Sequence, residues 1–114
     1  MDERKAALRK RTKEFASCVK SREELRVVGR QLLRSGTSVA ANYREASRAR
    51  SDNEFIAKIE ICSQEADETQ LWLELLHDDC HVPSDWTSPV WQEADELISI
   101  FTTMSKNTKN KGTV

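Results

Sequence analysis

The sequence predicts an all-α protein built as an antiparallel, up-down-up-down bundle of four helices, and three observations carry that expectation. Apolar residues recur at alternating steps of three and four through most of the 114 residues. Glycine and proline are scarce, three and two, which leaves too little turn punctuation for an all-β domain. Charged residues form 32% of the chain beside 38% hydrophobic, the mixture of long helices with one face in water. A chain of this length makes one domain with a small core, so self-association is expected.

Each helix follows from its spacing. Leu8, Thr12, Phe15 and Val19 define a first helix over about residues 2–20, with mostly basic residues on its other faces. Ser21 with Glu24 three residues later is a capping-box pattern and predicts the start of a second helix. There Leu25, Val28, Leu32, Ser35, Val39, Asn42 and Ala46 keep one rhythm. The same segment could be read as a helix-turn-helix with Gly36 in the turn, but that would shift the phase of the seam, and the seam does not shift. Gly36 is instead expected to permit close helix approach.

Ser51 or Asp52 caps a third helix carrying Phe55, Ile59, Cys62, Ala66, Thr69, Leu73, Leu76 and Cys80 almost to Pro83. Pro83 to Pro89, with Ser84, Asp85 and Ser88 between, reads as a loop. Ser88 and Pro89 then suit the N-cap and first position of a fourth helix with Val90, Ala94, Leu97, Phe101 and Met104 on its seam. The bundle is expected over residues 1–105, with a polar, basic, frayed tail over 106–114. Off the seams, Leu33, Ala40, Tyr43, Ile56, Ile61, Trp72 and Leu75 widen the apolar faces, as a broad core stripe or a subunit interface would; the small size favours the interface.

The net charge of -1 hides a division. Residues 1–57 hold fourteen Lys and Arg against eight Asp and Glu, while Ile59 to Ser105 contains eleven acids and no Lys or Arg. The cations Arg4, Lys5, Arg9, Lys10, Arg11, Lys13, Arg22, Arg26, Arg30 and Arg34 form the candidate nucleic-acid surface. The alternative use of the same charges is assembly, a basic helix pair of one subunit meeting the acidic pair of the next.

The seam also carries polar residues. Asn42, near Ser38 and Glu45, must find partners inside a bundle, and a hydrogen-bond set with Thr69 and Gln70 that fixes helix register is the expected use. Glu45 is expected in ion pairs and not as a general base.

Residues 31–48, with Gln31, Arg34, Ser35, Ser38, Asn42 and Glu45, followed by Glu54-Phe55 and by Thr69-Gln70, resemble the four-helix-bundle family of 23S ribosomal-RNA intervening-sequence proteins. The likeness covers about residues 25–76; Ala46 stands where the family often has glycine, which implies a second helix that continues further. The family includes the accessory variability determinant (Avd-like) proteins of diversity-generating retroelements. The resemblance implies a bacterial protein assembling as a homopentameric ring and binding RNA, DNA or a reverse transcriptase.

Little in the sequence suggests catalysis. No phosphate-binding glycine loop and no ordered nucleophile with a base occurs, so no enzyme, cofactor or small-molecule substrate is expected. Glu74, His77, Cys80 and His81 have the spacing of metal ligands on one helical face, but two histidines are too few for a di-metal carboxylate site, and helix-terminal roles are preferred over a metal. Cys18, Cys62 and Cys80 read as reduced thiols, the first two as core residues, and a charged N-terminus without an apolar stretch predicts a cytoplasmic protein with no membrane contact.

Overall fold

The computed structural model describes residues 2–111, the side chains of residues 17–19 and 21 excepted. The amphipathic segments are carried on three helices, α1 (Asp2–Ser47), α2 (Asp52–Asp78) and α3 (Ser84–Asn110), with no strand among the described residues. The break expected at Ser21 is absent, and α1 is one helix of 46 residues. Its physical basis is plain in the sequence: no Gly or Pro precedes Gly29, and Lys20 and Glu24, an i, i+4 pair at 4.0 Å, span the expected junction. The Ser21 cap and the core role of Cys18 fall on side chains outside the described residues.

α2 runs back along the C-terminal half of α1, as Ser35 with Thr69, Val39 with Cys62, and Glu45 with Lys58 show. α3 returns along α2, with Trp91 near Glu74 and Lys109 near Glu60. α1 and α3 flank α2 without their Cα atoms coming within 8 Å of each other. They meet through side chains at one end, where the rings of Tyr43 and Phe101 lie 6.1 Å apart. There Ala46, Ile59, Cys62 and Phe101 form a buried cluster with Val39, Phe55, Leu97 and Met104 packed against it. Further along α2, Ala66, Leu73 and Leu76 continue the buried seam.

The turns obey local chemistry. Ser51 Oγ accepts from the Glu54 amide at 3.1 Å, which satisfies one free donor of the first turn, and Glu54 Oε2 accepts from the amide of Arg50, the residue before the cap, at 3.1 Å. α2 ends at Asp78, earlier than the seam suggests, and His81 takes φ 60, the left-handed conformation that reverses the chain. The Val82 amide returns to the Leu76 carbonyl at 2.9 Å.

The expected loop is shorter than Pro83 to Pro89. α3 starts at Ser84, its first amides close on the Pro83 carbonyl, and Pro89 lies inside the helix. Burial of Thr87 against α2 draws those residues into the helix despite the Ser88-Pro89 start signal. At the other end, residues 106–110 of the expected tail are helical, with Lys109 bonded to Glu60 at 2.6 Å; residues 112–114 lie outside the described residues. The whole measures 84 × 20 × 17 Å, because the first half of α1 extends beyond α2. Among the described residues no helix is long and apolar enough to cross a membrane.

Candidate nucleic-acid interface

The basic residues are laid out by α1 alone. Residues 2–16 are all exposed, and Arg4, Lys5, Arg9, Lys10, Arg11 and Lys13 pair with no carboxylate among the described residues. Arg22, Arg26 and Arg30 continue at steps of four as an exposed, slanted row. From Arg4 to Arg30 the cations span about 39 Å at 1.5 Å per residue.

Arg34 leaves this set. Its Nη2 lies 2.6 Å from Glu68 Oε2 and its Nη1 3.4 Å from Glu65 Oε2, while Nε donates to Gln31 at 3.2 Å. Its guanidinium clamps α1 to α2 while the side chain stays half exposed. The contrast with Arg30, one turn away, follows from which face of α1 meets α2.

The polar set on the seams is divided where a single cluster was expected. Ser35 Oγ and Thr69 Oγ1 share a buried hydrogen bond of 2.8 Å, and Thr69 also donates to the Glu65 carbonyl at 2.8 Å. Gln70 turns to α3, where its Nε2 donates to Asp95 Oδ1 at 3.2 Å and to the Trp91 carbonyl at 3.3 Å. Asn42 reaches neither; its Nδ2 donates to the Ser38 carbonyl and hydroxyl, at 2.9 and 3.0 Å, inside its own helix. Glu45 pairs with Lys58 at 2.8 Å, and that hydrogen bond holds the lysine above its ordinary pKa. The pairing is across helices, not with the neighbouring Arg44 or Arg48.

Sequence reasoning missed the Arg34 clamp, the Trp91 Nε1 to Glu74 bond at 3.2 Å and the Lys109 to Glu60 pair. Their only sequence signal is opposite charge or polarity on adjacent helices, which becomes a contact only once register is known. Lys109 holds the Glu60 carboxyl below its usual range by hydrogen bonding and charge.

The histidine motif is not gathered. His77 Nδ1 lies 2.9 Å from the Val82 carbonyl oxygen, and His81 stands beyond the end of α2, so the one-face spacing is lost at the left-handed turn. Among the described residues no group of three metal-ligating side chains converges.

The profile of the 23S rRNA-intervening sequence protein family matches residues 4–103. The chain belongs to that family. A solved structure from Bacteroides thetaiotaomicron VPI-5482, a protein of unknown function from the S23 ribosomal protein family, is similar to this chain at 38% identity. The match covers 70% of this chain and 74% of the other, with a TM-score of 0.68. No curated protein matches significantly.

Proposed function

We propose that this chain is a non-catalytic, oligomeric binding module that tracks the phosphate backbone of RNA or DNA with α1. One observation carries the reading: nine cations, Arg4, Lys5, Arg9, Lys10, Arg11, Lys13, Arg22, Arg26 and Arg30, stand exposed on one helix with no carboxylate partner among the described residues. Such a row neutralises phosphates without reading bases. The family name supports RNA as the first ligand to test. In the setting of a retroelement, the same surface would serve a reverse transcriptase with its RNA, and the subunits would close into a homopentameric ring in the cytoplasm.

The test is a salt titration of RNA binding. Arg9→Glu, Arg11→Glu and Arg30→Glu together are expected to abolish retention at moderate salt. Reverting to three neutral glutamines is expected to flatten the log-log salt slope by about 2, at roughly 0.7 per lost single-strand contact. Retention and slope unchanged in both variants would remove α1 as the binding surface.

A second reading has its own observation. Ile59 to Ser105 carries eleven acids and no cation, a surface opposite in sign to α1, so the basic row could be spent on subunit contacts. In that case mass by light scattering falls as salt rises while RNA is never retained.

A further inference from the structure

Two apolar surfaces of this chain face solvent, and they match. The first lies on the arm formed by residues 2–20 of α1, where Leu8 is 61% and Phe15 72% exposed. Arg4 and Arg11 are their i, i+3 and i, i+4 neighbours on the helix surface. The second is a trough between the remainder of α1 and α3. Gly29, Leu33, Gly36 and Ala40 share one face of α1 at steps of four, three and four. Across the trough, Trp86, Val90, Leu97 and Ile100 share one face of α3, and all but Leu97 are more than 40% exposed. Near the turn after α2 the trough deepens to about 620 Å³, walled by Leu25, Gly29, Leu32, Leu76 and Trp86.

The glycines mark how closely something can approach. A methyl group built at Gly29 or Gly36 meets nothing within 4 Å, so neither helix-weakening residue is needed by contacts inside the chain. The trough has the length and charge to take the arm. An arm of 19 residues is about 28 Å long, and α3 about 40 Å. Asp85, Glu93 and Glu96 on α3 pair with no cation among the described residues, and Glu93 shares the face of Val90 and Leu97. Arg4 and Arg11 would arrive beside Glu93.

The arm cannot supply its own trough. α1 is unbroken through residues 16–24, which leads the arm away from the body that carries the trough. Leu8 and Phe15 also sit 20 residues before Val28 and Ser35, about 160° round the helix from the face that meets α2.

We propose that the arm of one copy docks in the trough of a second copy, with Leu8 and Phe15 against the α1 glycine face and the apolar stripe of α3. The fourth corner of the bundle is thereby filled in trans. Lys10 and Lys13, two positions from Leu8 and Phe15, stay outside the contact. The proposal rests on the oligomeric part of the reading above, and it turns Arg4 and Arg11 of the basic row toward the acids of the second copy instead of toward phosphate.

The test places p-benzoylphenylalanine at position 15 in an equal mixture of isotopically light and heavy full-length chains. Light-to-heavy cross-links from position 15 to residues 25–43 or 83–104 are expected. Cross-links confined within single chains, or reaching other regions only, would overturn the proposal. In parallel, Gly36→Leu fits the isolated chain, since the position opens on empty space, and should keep its helical circular dichroism. It should raise the concentration at which the oligomer dissociates at least about tenfold, as should Phe15→Asp. Assembly unaffected by both substitutions would sink arm exchange and leave the oligomeric reading standing; a monomer at every concentration would sink both.

Discussion

The two halves of α1 share one backbone and differ in everything that covers it. Residues 24–47 lie against α2, with Ser35 and Ala46 buried and Arg34 clamped, whereas residues 2–16 are exposed throughout. Both halves have apolar residues at helical spacing. What separates them is phase, since their stripes point to opposite sides of one continuous helix. An amphipathic pattern therefore identifies a face that needs covering without saying which molecule covers it.

That contrast can be broken most decisively in the core. Leu73→Ala, at a side chain 1% exposed, is expected to lower unfolding free energy by about 3 kcal/mol in urea titration. Leu8→Ala, measured at concentrations where the chain is dissociated, should stay within about 0.5 kcal/mol of the parent. Equal losses at the two leucines would mean that the arm packs on its own body.

A smaller effect distinguishes two arginines one turn apart. Arg34→Ala removes two carboxylate contacts at a half-exposed site, and about 1 kcal/mol is the expected loss. Arg30→Ala should leave stability unchanged while weakening RNA retention. If Arg30→Ala destabilises as much as Arg34→Ala, the division of the basic row into clamp and phosphate-facing parts is wrong.

His81→Gly should stabilise by up to about 1 kcal/mol, because glycine adopts φ 60 without the Cβ penalty; a rise in melting temperature checks it. The smallest effect is in acid. The folded Glu60 carboxyl titrates below its ordinary value of 4.5, so its contribution is present above that pH and is lost as pH falls through the folded value. Lys109→Met should remove this slope from a plot of stability against pH between about 5 and about 3.

Much of the fold was legible in the sequence because burial follows spacing. Ile59, Cys62, Ala66, Thr69, Leu73 and Leu76 are buried in the rhythm that predicts them, and Ser51 caps α2 as a serine three residues before a glutamate should. The junction at Ser21 was misread because a capping pattern is only an offer of one hydrogen bond, while continuing the helix satisfies every amide in the stretch. Pro89 misled for a different reason: it lies in the second turn of α3, where it forgoes a bond to the Asp85 carbonyl, and the burial of Thr87 that places the start earlier outweighs that loss. At the candidate interface, charge was legible and pairing was not. Nothing in the order of residues says that Arg34 meets Glu65 and Glu68 while Arg30 meets water; that is decided by the rotation of α1 against α2.

The unbroken passage of α1 from body to arm also has a mechanical side. A helix transmits rotation along its axis, and the arm is anchored only at its root, so it acts as a lever about 28 Å long. A bend of about 10° near residues 20–23 displaces the tip by about 5 Å, roughly one helical turn. Any change in the direction of α1 at its root is thus magnified at Arg4 and Leu8.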